Sequence, residues 1–252
     1  MPIAFGRRLT GKDRTRGANR QLGWALAFIA GATNAGAYLA VQQYTSHMTG
    51  MVSSMADHLV LGEFQLAAGA MAALASFVSG AATSAVLINY ARRRQLKSQF
   101  AMPLLLEAAL LLLFGLIGAQ LAQVQSLFVP ATVMLLCFMM GLQNAVITKI
   151  SDSEIRTTHV TGLVTDLGIE LGKLLYWNRL QQDPALKVRA NRDRLAVLGL
   201  LVAGFFLGGV TGAIGFQRMG YATTVPLALL LVLLSIVPAT DDLKDYLARP
   251  GG

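Results

Sequence analysis

The three histidines of this sequence, His47, His58 and His159, all stand among hydroxyls and carboxylates. Histidine is the side chain whose unperturbed charge change falls near neutral pH, so such company suits proton exchange or the holding of an anionic or hydrogen-bond-accepting molecule. Two of the three lie in a passage that occurs twice. Thr45-Ser46-His47-Met48-Thr49-Gly50-Met51-Val52-Ser53 returns without a gap as Thr157-Thr158-His159-Val160-Thr161-Gly162-Leu163-Val164-Thr165, with five identities and four like-for-like changes. Asp57 and His58 follow the first copy; Asp166 and Glu170 follow the second. Ionisable groups close to a membrane are costly and mark a pathway, a ligand site or a proton relay. His159, Asp166, Glu170, Asp57 and His58 are therefore the proton-coupling candidates.

Elements of a particular kind must hold these residues. Thr49-Gly50 and Thr161-Gly162 read as helix starts, the hydroxyl capping free backbone N–H groups and the glycine allowing an irregular approach. Met51, Met55, Leu59 and Leu163, Leu167, Leu171 recur at every fourth position and give each short helix an apolar stripe. Each cassette is expected to be a loop and a half-helix of about three to four turns, too short to cross a hydrocarbon core of about 30 Å. It either dips into the protein or lies at the interface. His47 and His58 are spaced to share a face if that helix runs through both. His47 and His159 suit either a polar staple to the backbone or direct contact with a ligand or proton, and the two roles are compatible.

Around the cassettes the chain is built for a bilayer. Hydrophobic residues make up 54% and charged residues 13%, with a mean hydropathy of +0.55, which excludes an ordinary soluble domain. Six stretches are long enough to span: Trp24–Gln42, Phe64–Tyr90, Pro103–Gln125, Leu127–Thr148, Leu195–Gln217 and Met219–Thr240. Among these stretches Glu107 is the sole charged residue, placed where it could snorkel to the interface. A secretory signal is not expected at the first stretch, because its Gly31-Ala32-Thr33-Asn34-Ala35 motif is echoed inside the fourth by Gly141-Leu142-Gln143-Asn144-Ala145.

Charge orients these spans. With the N-terminus cytoplasmic, the tail (Arg7, Arg8, Lys12, Arg14, Arg16, Arg20), Arg92 to Lys97, the segment from Lys149 to Arg194, Lys244 and Arg249 all face inward, and only Arg218 is left outside. The net charge of +8 then reflects attraction to anionic lipid, and nucleic acid is not expected as a partner. Ser76-Phe77-Val78-Ser79-Gly80-Ala81-Ala82-Thr83-Ser84 is echoed by Gly204-Phe205-Phe206-Leu207-Gly208-Gly209-Val210-Thr211-Gly212, small-residue seams that let helix backbones approach. Three ordered echoes mean a duplicated unit. Three spans per unit, an odd number, make the copies inverted repeats about an axis in the membrane plane. The expected organisation is a basic cytoplasmic tail at residues 1–21, repeat 1 at 22–126, repeat 2 at 127–240 and a cytoplasmic C-terminal tail at 241–252. The fold class is an all-α polytopic membrane protein of six spanning helices, each repeat carrying a polar half-helix cassette.

Asn34 and Asn144 lie inside apolar helices, where they either reach a ligand or hold helices together. Cys137 is alone, so no intrachain disulfide forms and no thiolate metal site is suggested. No phosphate loop, dinucleotide fingerprint, metalloprotease motif or nucleophile elbow occurs, so no enzyme and no cofactor is expected. A three-histidine metal site would require both cassettes to reach the midplane, and none is expected.

The motifs together resemble a known group. Gly-Ala-Thr-Asn-Ala in the first helix, His-Met-Thr-Gly after it, then Gly-Leu-Gln-Asn-Ala and Arg156-Thr157-Thr158-His159-Val160-Thr161-Gly162 are similar to the YoaK-like family of bacterial integral membrane proteins (domain of unknown function 1275). The resemblance covers about Leu22 to Thr240, and its most specific part is the second cassette with Thr165-Asp166-Leu167-Gly168. Relatives usually carry Asn where Met51 stands, which implies a changed contact here if that Asn touches a ligand. The resemblance implies a bacterial inner-membrane protein and no established substrate.

The expected function is passage of a small polar or anionic solute, as a transporter or channel-like facilitator with proton linkage. Asn34, His47, Thr49, Gly50, Asn144, His159, Thr161 and Gly162 would line the site, with two positive helix ends converging on it. The alternative is a membrane sensor or scaffold that passes nothing. Expected partners are the lipid bilayer and a small-molecule solute; assembly of several copies is left open.

Overall fold

Apolar runs without strand-type alternation coil into helices because a bilayer offers the backbone no other partner than itself. The computed structural model describes residues 16–96, 98–120, 125–150, 160–176 and 187–247. Within them the helices are α1 (Arg16–Val41), α2 (Met48–Val60), α3 (Phe64–Arg93), α4 (Ala101–Gln120), α5 (Gln125–Ile150), α6 (Val160–Leu175), α7 (Arg192–Met219) and α8 (Thr224–Leu247), the last two joined by the 3-10 turn Gly220–Thr223. No strand occurs among the described residues. The N-terminal tail, residues 121–124 of the third expected span, and His159 lie outside them.

Five stretches have the length and apolarity to cross a membrane: Asn19–Val41, Phe64–Arg93, Ala101–Ala119, Val129–Lys149 and Arg192–Ile236. The protein is therefore a multi-pass membrane protein. The last stretch covers two helices, because the chain folds back inside it. Gly220 has φ +59, and a methyl added at Gly215 would lie 2.6 Å from the Thr223 side chain. A continuous helix would hold those residues about 12 Å apart.

The long helices pair through the small-residue seams. α1 lies along α7 and α3 along α5. Gly204, Gly208 and Gly212 face Trp24, Phe28 and Ala32, so α1 and α7 run in the same direction. A Cβ at Gly31 would fall on the carbonyl oxygen of Phe205, and one at Gly208 on that of Phe28. The other pair repeats this: Gly141 meets the Phe77 carbonyl, and Gly80 that of Phe138. The seams also cross one another, since the Gln143 amide donates to the Leu26 carbonyl at 3.3 Å between α5 and α1. These two helices form the centre: 50% and 56% of their apolar windows are buried, against 22% for α3.

α4 and α8 close the bundle as an antiparallel pair. Gly115 abuts Thr224 and Gly118 abuts Tyr221 at one end; the Ser98 N–H donates to Asp242 at 2.7 Å at the other. Each helix carries proline at its third residue, Pro103 and Pro226, where the missing N–H leaves no helical bond unmade. Phe114, Phe216 and Tyr221 fill the turn end, with ring centroids 5.7 to 6.3 Å apart.

Candidate functional site

The first cassette is positioned by a reversal at the end of α1. Gln42, at φ 55, takes the left-handed conformation that ends a helix, and the chain turns back along α1 rather than away from it. Ser46 Oγ then donates to Asn34 Oδ1 at 3.0 Å, two turns inside the helix. α2 starts at that depth and runs antiparallel to α3. Its Met51 packs with Ala73 and Cys137, and Met48 and Phe77 border the same cluster. Ala73 lies about 14 Å from the start of α3 at 1.5 Å per residue. The first turn of the half-helix therefore sits level with the α3–α5 seam, and its last turn reaches the helix ends.

The second half-helix docks in the same way. Leu163 is buried in the main core with Leu198, Leu201 and Ala27, and Leu167 reaches Gly199. α6 thus starts level with the interior of α7 and ends beside its first turn. There, Glu170 is 2% exposed, accepts from Lys173 Nζ at 2.8 Å and from the Asn191 N–H at 2.8 Å. The Lys173 ammonium and that N–H hold its carboxyl below the usual carboxylate range. Asp166 pairs with Arg194 at 3.0 Å.

The helix starts differ by one residue from the expected ones. α2 begins at Met48 with His47 as its flanking residue, and no side chain caps it; α6 begins at the equivalent Val160. Thr49 and Thr161 are the second helical residues. A hydroxyl there no longer faces the free N–H groups, which is the physical reason the capping expectation fails. The Thr161 carbonyl accepts from Thr165 instead. His47 lies over Gly50, where a Cβ would sit 2.7 Å from ring Nδ1. The helix runs without a break from Met48 through His58, and His58 meets Glu63 at 2.6 Å in the α2–α3 turn. Asp57 is exposed. Thr49, Thr161, Gly50 and Gly162 remain at the half-helix starts, His47 at the flank of α2.

Two features escaped the sequence. Several buried polar atoms have no partner: Thr33 Oγ1 and Thr45 Oγ1 near Asn34, and Gln143 Oε1 and Asn144 Oδ1 on α5. Thr33 and Gln143 occupy equivalent positions in the echoed motifs, as do Asn34 and Asn144. Buried polar atoms are nearly always bonded, so orphans at matched positions of the two echoed motifs are notable. The echo itself was the available signal. The second feature is Glu107, which does not snorkel: it is 1% exposed and its Oε2 has no partner. Among the described residues no cluster of His, Cys, Asp or Glu could hold a metal ion.

The model of the family described as "Protein of unknown function (DUF1275)" matches residues 22–237, so the chain belongs to that family. No curated protein and no solved structure matches it.

Proposed function

We propose that this family member is a transporter or channel-like facilitator for a small polar or anionic solute, built from two inverted repeats of three spans each. One observation carries the reading. Each half-helix buries its start in the bundle, through Met51 and Leu163 at equivalent positions, and buried polar atoms without partners occur at equivalent positions of the two echoed motifs, Thr33 and Gln143. A helix N-terminus presents free N–H groups and partial positive charge. Two such ends, entering from opposite faces, favour anions and hydrogen-bond acceptors and disfavour naked cations.

The direction of the helices supports the inverted arrangement. α1 and α7 run parallel while α4 and α8 run antiparallel, as six spans with both termini on one side require. The excess of Lys and Arg beside the spans supports a cytoplasmic side for both termini, in what we take to be a bacterial inner membrane. Asn34, His47, Thr49, Gly50, Asn144, His159, Thr161 and Gly162 then line the route, with Thr33 and Gln143 added by their unpaired atoms. The reading is non-catalytic.

Proteoliposomes carrying the purified protein test it. Loaded in turn with small anions and uncharged polar metabolites, they are expected to show uptake or exchange that Asn144→Leu abolishes. Leakage equal to protein-free vesicles for the whole panel would remove the transport reading and leave a sensor or scaffold.

A further inference from the structure

Glu107 stands apart from both cassettes. It lies in the second turn of α4, 1% exposed, and its helical neighbours Leu104, Ala108 and Leu111 all belong to the main core. Oε2 has no hydrogen-bond partner. The helices around it bring few charged or titratable groups. Among the described side chains these are Asp242 on α8, Cys137 and Lys149 on α5, Tyr221 in the 3-10 turn, Tyr90, Arg92 and Arg93 on α3, and Arg218 at the end of α7. None of them bonds to Glu107. The cation nearest along the fold is otherwise engaged: Arg92 Nε donates to Gln99 Oε1 at 3.2 Å, and its guanidinium lies 5.8 Å over the Phe100 ring.

An ionised carboxylate with no donor in an apolar interior costs several kcal/mol, and such a group carries its proton instead. Two turns above Glu107, at the start of α4, the core gives way to a polar layer: Arg92 with Gln99, and the Ser98 N–H with Asp242. Phe100, 1% exposed, belongs to that end of the helix pair and lies under the Arg92 guanidinium. A buried acid about two helical turns from hydrogen-bonding residues at the helix start can exchange a proton when α8 shifts.

We propose that Glu107 is a proton-binding site: it is the neutral acid in the packed arrangement and exchanges its proton through the Ser98–Asp242 and Arg92–Gln99 layer. The ligand is the proton itself, and no metal is involved. The site replaces the cassette residues Asp166, Glu170 and His58, all engaged in ion pairs, as the coupling group. Only the coupling role rests on the transport reading; proton binding does not.

A membrane-permeant carbodiimide tests it, because this reagent adds the protonated carboxyl across its C=N bond and rearranges to a stable N-acylurea. The full-length protein in liposomes is treated over a range of pH, and the adduct is read by mass on the peptide containing Glu107. Labelling at Glu107 is expected at low pH, falling about tenfold per pH unit above the midpoint of the group, and absent in Glu107→Gln. A second reading uses the melting temperature. The parent is expected to lose stability as pH rises through that midpoint, whereas Glu107→Gln, neutral at every pH, does not. Labelling with no pH dependence, no labelling at any pH, or equal melting profiles would each overturn the proposal. Successful labelling with no solute passage would instead sink transport and leave the proton site standing.

Discussion

The two half-helices, α2 and α6, start alike and end differently. Met51 and Leu163 hold equivalent places and each anchors its helix in the interior, one with Ala73 and Cys137, the other in the main core. Even the seams match, carbonyl for carbonyl: Gly31 against Phe205 as Gly141 against Phe77. At the far ends the likeness stops. α2 turns tightly into α3 through Leu61 and Gly62, the latter at φ +75, with His58 on Glu63. α6 is tied to α7 by Glu170, Lys173, Asn191, Asp166 and Arg194. Steric fit between backbones at a seam admits few alternatives, and both helix pairs use the same one. The outer turns face different surroundings and differ, Lys173 and Arg194 standing at the α6–α7 end.

The seams give the severest test of that equivalence. Gly80→Ala and Gly208→Ala each drive a methyl into a backbone carbonyl that no rotamer change can move. Both are expected to cost about 3 kcal/mol or more, at or above the upper end of overpacking effects. Gly69→Ala and Gly168→Ala, where a Cβ meets nothing, should stabilise by about 0.5–1 kcal/mol through helix propensity. Thermal unfolding in detergent reads all four. A large cost at one seam and none at the other would break the comparison.

The asparagines come next, and the halves should part here. Asn34 accepts from Ser46, so Ser46→Ala strands a buried acceptor and should destabilise by about 1–3 kcal/mol. Asn144 Oδ1 accepts from nothing, so Asn144→Leu should be neutral or slightly stabilising while abolishing solute passage. Stability and activity moving in opposite senses would identify Asn144 as a residue kept for a ligand. Loss of both together would make it an ordinary packing residue.

Much of this was legible in the sequence, and the rest was hidden for physical reasons. Seams were readable because close approach admits only small residues, and Ser76, Gly80, Ser84 and Gly204, Gly208, Gly212 announce it by spacing alone. The family motifs were readable for the same kind of reason. The depth of α2 was not, because it depends on a chain reversal at Gln42 and on a hairpin with α3, both tertiary events. The burial of Glu107 was hidden because α4 is apolar all round, so no polar face marks which side looks inward. The Glu170 cluster joins residues on either side of the α6–α7 connection, a distance that periodicity cannot bridge.

That cluster supplies a pH-dependent contrast between the half-helices. Glu170 has a folded-state pKa below its unfolded value. Its contribution is therefore present above the unfolded carboxylate pKa and is lost as pH falls through the depressed folded one. Hydrogen exchange along α6 should accelerate as the pH drops below about 4.5, and Glu170→Gln should show that faster exchange already at neutral pH. α2, whose carboxylate contact, His58 on Glu63, is solvent-exposed, should change less over the same interval. An α6 insensitive to both acid and substitution would mean that Leu163 alone anchors it.

The smallest effect is expected at Thr49 and Thr161, and it separates two roles that their position otherwise confuses. A capping threonine replaced by valine costs about 1 kcal/mol. Neither residue is a cap: α2 has no side-chain cap at all, and both threonines lie one residue inside their helices, exposed. Thr49→Val and Thr161→Val should therefore shift stability by less than about 0.5 kcal/mol, the range of surface changes that break no specific contact. Their hydroxyls nonetheless stand at the two N-termini on which the proposed solute route converges. If solute touches them, each valine lowers passage while melting stays at the parent value, and the two variants lose it to a similar degree because their settings are equivalent. Unchanged stability with unchanged passage would move the route away from the half-helix starts and onto the α1–α5 contact, where Gln143 and Asn144 keep unpaired oxygens.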